Sequence, residues 1–159
     1  MKKNKTKKII FISSAGGHLY QLLQLEPLFH KFEYLLITEK KSTTVELKES
    51  YNVQYLLEGT RKNMVFYLFR FGINVIRSLF ILLKFRPGYI ITTGVHTAVP
   101  MCYLAKLFGK KIIYFETFAR VNDKTLSGRL VYPIADLFFV QWESMLEIYP
   151  KAIYKGGLY

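Results

Sequence analysis

Cysteine is nearly absent from this sequence: Cys102 is the single one among 159 residues. One cysteine cannot form an intrachain disulfide, and nothing in the cysteine usage indicates an oxidising compartment. The amino terminus is basic, as in signal peptides, but the apolar run at residues 9–12 is too short for a signal-peptide core and leads into serines and glycines. We therefore expect a cytosolic protein that is not secreted.

Acidic residues are also scarce, with 11 Asp and Glu against 23 Lys and Arg, which gives a net charge of +12. No acidic residue occurs between Glu58 and Glu116, a stretch that contains many Lys and Arg. This excess predicts attraction to polyanions or to anionic membrane surfaces. Lysines crowd residues 1–8, which we predict to be a disordered polybasic head.

Several cofactor signatures are missing. The sequence has no DxD triplet and no His, Cys and carboxylate cluster with metal-ligand spacing, so no metal and no other cofactor is expected. The first glycine turn is not GxGxxG, and only Glu39 offers an acid at the end of the second strand, which disfavours an NAD-dependent oxidoreductase. Nucleic-acid binding is disfavoured because the aromatic residues lie in core-like apolar runs.

Strand-like and helix-like segments alternate along the chain. Apolar runs typical of strands occupy residues 9–12, 34–38, 53–57, 89–92, 111–115 and 137–140. Helical patterns occupy residues 19–29, 63–85, 98–108 and 126–135, with short ones at 43–49 and 144–148. The alternation predicts an α/β fold, a doubly wound parallel sheet. The length suits one domain, residues 9–159, and leaves little room for a second nucleotide-binding domain of equal size.

A glycine turn, SSAGGH at residues 13–18, joins the first strand to the first helix. Gly16 and Gly17 allow the backbone to approach an anion, so we expect a diphosphate beside them and Ser14. His18 lies at the helix start, facing the crevice above the strand ends, and imidazole groups are suited to general-base catalysis. The alternatives are a tight turn without a ligand and a histidine that caps the helix.

A second turn of this kind, TTGVHTAVP at residues 92–100, also follows a strand and precedes a helix. Thr93, Gly94 and His96 can donate hydrogen bonds to an anion or a sugar. The alternative is a helix cap without a ligand, in which Thr97 supplies the capping oxygen.

A third segment, YFETFAR at residues 114–120, places a carboxylate and a guanidinium directly after an apolar strand. Glu116 is therefore a candidate base or hydroxyl-binding group, and Arg120 a candidate acceptor-binding group. The alternative is an ordinary surface ion pair between the two, which would contribute little to stability.

The helix at residues 64–85 is long enough to span a bilayer, but Arg70 and Arg77 lie within it, each costing roughly 2.5–3.5 kcal/mol at mid-bilayer. With Asn74 and Lys84 they form a narrow polar stripe, which favours a helix lying in the membrane interface. The expected membrane-contacting residues are Phe66, Phe69, Arg70, Arg77, Phe80 and Lys84. The alternatives are a helix packed on the sheet with its stripe in water, and an apolar surface that faces a partner subunit.

These segments occur in an order that resembles a known family. The segments that carry the resemblance are residues 13–18, 92–100, 116–120, 126–133 (LSGRLVYP), 139–142 (FVQW) and 156–157 (GG). Together they resemble the amino-terminal half of the GT-B glycosyltransferases related to MurG. More narrowly, the chain is similar to bacterial capsule and exopolysaccharide subunits of the PssD/CpsF type. It is also similar to the eukaryotic membrane-anchoring subunit of the transferase that adds the second GlcNAc to dolichol-linked GlcNAc.

The resemblance implies a single Rossmann-like domain equivalent to the acceptor half of a GT-B enzyme. It implies a subunit, inactive alone, of a two-subunit enzyme that transfers a sugar from a UDP-sugar to a polyprenyl-diphosphate-linked saccharide in capsular or exopolysaccharide synthesis. The implied partners are a donor-binding, PssE/CpsG-like catalytic subunit, the lipid-linked acceptor and the anionic cytoplasmic face of a bacterial membrane, with peripheral or monotopic attachment.

The resemblance also implies roles for individual residues. Gly16, Gly17 and His18 would hold or activate the acceptor, Thr93 and Gly94 would line the cleft, and Glu116 falls where MurG-like enzymes carry a glutamate after a strand. The competing hypothesis is a non-catalytic enhancer that only brings the catalytic partner to the membrane and the lipid.

Overall fold

The chain forms one seven-stranded parallel sheet with helices on both faces. The computed structural model describes residues 7–59 and 64–158. The strands are β1 (Lys8–Ile12), β2 (Glu33–Glu39), β3 (Val53–Leu56), β4 (Tyr89–Thr92), β5 (Lys111–Phe115), β6 (Leu137–Val140) and β7 (Ile153–Tyr154). The helices are α1 (Gly17–Leu23), α2 (Leu47–Ser50), α3 (Met64–Phe85), α4 (Ala98–Leu107), α5 (Leu126–Val131) and α6 (Met145–Ile148).

The strand order is β3-β2-β1-β4-β5-β6-β7, and every pairing is parallel. Central strands such as β1 (KIIFI) and β4 (YIIT) are nearly continuous apolar runs because both of their faces are covered. The order reverses between β1 and β4, so helices after β1 and β2 lie on one face and those after β3 to β6 on the other. The predicted doubly wound fold is confirmed.

A separate core covers each face of the sheet. On the α1 side, Phe11, Leu22 and Leu36 are fully buried together. On the other side, α3 to α6 pack on strand residues such as Ile10 and Ile90. Cys102 is sealed in this second core, where burial raises the pKa of its thiol to about 12. The thiol is therefore protonated and unreactive.

Two predicted helices end earlier than expected, because of proline. The first ends at Leu23 rather than residue 29, since Pro27 has no amide to bond the Leu23 carbonyl and its ring would clash there. A short 3-10 turn, Glu26–Leu28, follows. The helix expected over residues 126–135 likewise ends at Val131, shortly before Pro133. Most of the predicted polybasic head lies outside the described residues, while Lys8 opens β1 and binds Glu33.

The polar stripe predicted along α3 needs a correction. Asn74 does not face water: it is buried, accepts from the Leu57 amide and donates to the Leu57 carbonyl, both at 2.8 Å. The buried face of α3 consists of Asn74, Ser78 and Leu82, spaced by four. This face packs towards the sheet and α4 through apolar residues such as Leu82, and Asn74 on the same face satisfies the backbone that leaves β3. Arg77 and Lys84 remain exposed.

Candidate functional site

The candidate site lies where β1 and β4 are neighbours and the helices that follow them leave towards opposite faces. In doubly wound sheets a crevice opens at this point, outside the carboxyl ends of the strands, and ligands bind in it. The two turns singled out in the sequence follow these two strands. The fold therefore brings them together from positions about 80 residues apart.

Two reciprocal hydrogen bonds join the turns. His18 Nδ1 lies 2.9 Å from the Thr93 carbonyl, and Thr93 Oγ1 donates to the His18 carbonyl at 2.7 Å. A carbonyl only accepts, so Nδ1 carries the proton and Nε2 of a neutral ring is an acceptor. The alternative of a helix-capping histidine is wrong, because the α1 cap is Gly16 and no side chain caps it.

The glycines of the first turn are open to solvent. Gly16 has a φ of 94°, which favours glycine, and a Cβ at Gly16 or Gly17 would meet nothing within 4 Å. Ser14 is buried, and its hydroxyl donates at 3.4 Å to the Ala15 carbonyl. The exposed edge of this turn is therefore backbone, directly beside His18.

The second turn has an unusual backbone. Gly94 has a φ of 96°, and a Cβ there would overlap the Tyr114 hydroxyl. Val95 also has a positive φ of 81°, which costs a branched residue energy, and such backbone strain is enriched at functional sites. Ser127 holds the turn, since its Oγ accepts from the Val95 amide at 3.1 Å. Thr97 does occupy the cap position of α4, as the alternative reading expected, but its hydroxyl makes no capping bond.

His96 turns towards the end of β2. Its Nε2 lies 3.7 Å from Oε1 of Glu39, which is 3% exposed, and its ring lies 5.7 Å from the Tyr67 ring on α3. Glu39 Oε2 lies 3.8 Å from the Lys41 ammonium. The sequence does not indicate this contact between Glu39 and His96. Only the sheet topology shows that the end of β2 and the turn after β4 lie at the same edge of the sheet.

Glu116 is fully buried, and three groups donate hydrogen bonds to its carboxylate. It accepts at 2.9 Å from each of the Thr117 amide, the Thr125 hydroxyl and the Tyr149 hydroxyl. Burial, and secondarily the Glu116 charge, raises the pKa of Tyr149, so its phenol stays a donor. Glu116 is the centre of a buried network.

The alternative of a Glu116–Arg120 surface pair is wrong. The two residues do not pair: Arg120 is exposed and binds Asp123 on the loop after β5, whereas the Glu116 carboxylate is enclosed. Arg120 therefore lies apart from the His18–Thr93 contact, on the outside of this loop.

Gly128 is required by the Glu116 network. A Cβ at Gly128 would overlap Glu116 Oε2 and lie 2.6 Å from the Tyr149 hydroxyl. Because these atoms are buried and bonded, we expect Gly128→Ala to lower the free energy of unfolding by about 2–4 kcal/mol. Urea denaturation measures this. The matched control is Gly72→Ala on the exposed side of α3, where a Cβ meets nothing and stability should hold or rise. Equal stability of the two variants would contradict the network's rigidity.

Buried amides connect this network to α1 and to the end of the chain. Gln141 Nε2 donates to the Gln21 side chain at 3.1 Å and to the Glu116 carbonyl at 2.9 Å. Its Oε1 accepts from the Leu158 amide at 3.0 Å. Sequence reasoning assigned Gln21 no role, since a single glutamine within an apolar helix gives no signal before the topology is known.

A cavity of about 330 Å³ lies beside His18, between α3, α4 and α5. It is lined by His18, Tyr67, Phe71, Val95, His96, Val99, Thr125, Leu126, Ser127 and Leu130. Its volume is at the lower end of the range of ligand pockets. His18 Nδ1 is occupied by Thr93, so Nε2 is the ring nitrogen left to act there. Within the described ranges, no group of His, Cys, Asp and Glu is placed to hold a metal ion.

The helices beside this cavity expose a large apolar surface, here called the outer apolar face. Its α3 members are Met64, Val65, Phe66, Leu68, Phe69, Ile76, Phe80 and Leu83, and its other members are Tyr103, Leu107, Phe108, Leu126 and Leu130 on or beside α4 and α5. Phe66, Phe69 and Phe80 are 65%, 68% and 66% exposed. α3 is long and apolar enough to cross a membrane. The sequence analysis did not predict the α4 and α5 members, because these short apolar helices have the pattern of buried core elements.

Cations border the α3 part of this face. Arg70, Arg77 and Lys84 are exposed along one side of the helix, next to the β3 edge of the sheet. Arg70 also donates to the Glu58 carbonyl at 3.2 Å. An apolar face bordered by cations matches an anionic lipid surface.

The fold and the paired turns define the class of this protein: a Rossmann-like domain of the kind found in GT-B enzymes. MurG of Acinetobacter baumannii superposes with a TM-score of 0.69 at 12% identity, covering 88% of this chain and 43% of that chain. Residues 8–158 match the family described as "Oligosaccharide biosynthesis protein Alg14 like". The chain belongs to this family.

Curated relatives carry the name "UDP-N-acetylglucosamine transferase subunit ALG14". The Candida albicans protein is 47% identical over 87 residues, which are 51% of this chain and 40% of that protein. The Rattus norvegicus protein is 26% identical over 182 aligned positions, covering 94% of this chain and 82% of that protein. The similarity to the Candida protein thus spans less than half of its length.

Proposed function

We propose that this protein is the acceptor-binding, membrane-associating subunit of a two-subunit glycosyltransferase. The complex transfers a sugar from a UDP-sugar to a saccharide linked through diphosphate to a polyprenyl lipid. A separate catalytic subunit supplies the donor site, and this chain is inactive alone. The relatives named as transferase subunits support the assignment to a glycosyltransferase complex.

The observation that carries this proposal is the position of His18. Its ring is held by Thr93 at the switch point of the sheet, and it lines a cavity walled by α3 and α5. Both helices also contribute to the outer apolar face. A molecule with a polar head and an apolar chain matches this arrangement, because it can contact the histidine and the apolar surface together.

In the proposed reaction His18 is the base. Its Nε2 takes the proton from the acceptor hydroxyl as that oxygen attacks the anomeric carbon of the donor sugar, and UDP leaves with the bonding electrons. The exposed backbone of Gly16 and Gly17 and the partly exposed His96 frame the acceptor's polar head, while the buried Thr93 and Gly94 support them from beneath. Ser14 and Arg120 are less well placed to contact the acceptor. Ser14 is buried and bonds the Ala15 carbonyl, and Arg120 binds Asp123 on the outside of its loop.

The geometry favours His18 over Glu116 as the base. The Glu116 carboxylate already accepts three hydrogen bonds and has no exposed surface, so it would have to break this network to reach a hydroxyl. Its role in the proposal is structural: it holds the loop after β5 and α5, which form one wall of the site.

We propose that α3 lies in the membrane interface rather than across the bilayer. Its inner face is packed into the core, and Asn74 is bonded to the chain that leaves β3. Crossing the bilayer would expose this face and separate α3 from α4. Lying flat, the helix places its apolar side among acyl chains and Arg77 and Lys84 at headgroups, on the cytoplasmic face of the membrane.

Capsular or exopolysaccharide synthesis in a bacterium, with a PssE/CpsG-like partner, is the finer part of the proposal. It rests on the resemblance of the sequence segments to PssD/CpsF-type subunits. The named relatives support only the coarser assignment to a UDP-N-acetylglucosamine transferase complex.

The proposal is tested by reconstitution. Transfer from radiolabelled UDP-sugars to a lipid-diphosphate acceptor is measured in membranes that contain this protein, a candidate donor-binding subunit, or both. We expect transfer only with both chains present. Transfer by this chain alone would contradict the divided site, and absence of transfer with every donor and acceptor tried would contradict the enzymatic assignment.

A further inference from the structure

The cavity beside His18 is continuous with the outer apolar face. Leu126 and Leu130 line the cavity and are also 59% and 41% exposed. Tyr67 and Phe71 of α3 form the facing wall. The cavity therefore connects the surface that we assign to the membrane with the histidine that we assign to the chemistry.

The lining selects the kind of molecule that fits. Phe71, Val99 and Leu130 offer no hydrogen bonds, so a free sugar or nucleotide would leave its hydroxyls without partners against them. Most of the exposed lining surface is apolar, and it is interrupted by polar atoms of His18, Tyr67, His96, Thr125 and Ser127. An occupant that is apolar along most of its length and polar where it reaches His18 matches this lining.

We propose that this cavity binds the isoprenyl units of the acceptor lipid that lie next to its diphosphate. The chain enters from the outer apolar face between α3 and α5, and its head group emerges at the His18 side. This inference rests on the proposed function and adds to it a site that selects the acceptor by its lipid. Because the site belongs to this chain, it is expected to act without the donor-binding partner.

Photolabelling of the full chain tests the site without any sugar transfer. The probe is a short isoprenyl diphosphate with a terminal benzophenone, and labelled peptides are identified by mass spectrometry. We expect label on α3, α4 or α5 at the cavity, and at least tenfold less label when Val99→Phe fills the cavity. Leu126→Asp is the second variant: it places a charge at the mouth, on an exposed position where an acid suits the helix start.

The controls are Leu107→Phe and Leu107→Asp, which make the same changes on the outer apolar face away from the cavity, at a residue that is 80% exposed. Both should label like the unmodified protein. An unlabelled isoprenyl diphosphate should compete with the probe, while phosphatidic acid, an anionic lipid with straight acyl chains, should not. Equal labelling of cavity and control variants, or equal competition by phosphatidic acid, would overturn the proposal.

Failure of the cavity and failure of the proposed function are read separately. Active transfer by the reconstituted pair, together with unchanged labelling of Val99→Phe and Leu126→Asp, would contradict the lipid site in the cavity and leave the proposed function standing. Labelling that depends on the cavity, without transfer by any pair, would establish the lipid site and sink the enzymatic assignment.

Discussion

Replacing His18 with asparagine is expected to lower the turnover of the reconstituted transferase by about 10²–10⁴-fold, the usual contribution of a general base. The asparagine amide has the reach to replace Nδ1 and keep a hydrogen bond to the Thr93 carbonyl, but it provides no basic nitrogen at the position of Nε2. The backbone carbonyl of residue 18 still accepts from the Thr93 hydroxyl. The variant therefore keeps the join between the turns and removes the proton acceptor.

A second variant and a matched histidine make this prediction specific. His18→Gln places an amide near Nε2 but gives up the Nδ1 bond, so it should lose turnover and also some stability. His30 is exposed on the loop before β2, and His30→Asn should leave turnover unchanged. Co-purification of the two subunits and binding of the lipid acceptor are measured alongside. Full turnover of His18→Asn in an intact complex would contradict the role of His18 as the base and favour the hypothesis of a non-catalytic enhancer.

The fold follows from local signals that the sequence carries openly. The strands at residues 89–92, 111–115 and 137–140 begin and end where their apolar runs predict. Parallel strands that are covered on both faces need continuous apolar runs, so the sequence pattern agrees with the observed burial of these strands. β7 was missed because two residues at a sheet edge leave no pattern. The early ends of α1 and α5 follow from Pro27 and Pro133, whose effect outweighs the apolar spacing around them.

The candidate site was predictable only in part. Chain order and the rule for doubly wound sheets place the turns at residues 13–18 and 92–100 at one edge, which indicates the location of the crevice. They do not indicate that His18 bonds Thr93, that Glu39 faces His96 or that Glu116 is enclosed. These contacts depend on side-chain packing across elements far apart in sequence. Their residue types are equally compatible with surface positions.

Charge on the outer apolar face is expected to abolish membrane binding. In the double variant Phe69→Asp/Phe80→Asp, two largely exposed rings on α3 are replaced by carboxylates. Burying one such side chain in lipid contributes about 1.5–3 kcal/mol, so losing two should lower vesicle partitioning by at least about 100-fold. Vesicle co-sedimentation measures it. Folding should be preserved, because both side chains already point away from the core.

The cationic border of α3 predicts a different response. Arg77→Glu/Lys84→Glu should weaken binding only to anionic vesicles and only at low salt, since each cation contributes about 1 kcal/mol near such a surface and is screened within a Debye length. Phe69→Asp/Phe80→Asp should weaken binding to neutral vesicles as well. Val45→Asp, on the α2 side of the sheet and 41% exposed, is the control that should bind normally.

Extraction of the unmodified protein separates the interfacial arrangement from a membrane-spanning one. An interfacial helix is held by one apolar side and by salt-sensitive contacts, so alkaline carbonate should release the protein from membranes. A spanning α3 would resist this wash. It would also have to give up the Asn74 bonds to Leu57 and its packing on α4. Retention after carbonate, together with unchanged binding of Phe69→Asp/Phe80→Asp, would therefore contradict both the flat orientation of α3 and the route by which we bring the lipid to His18.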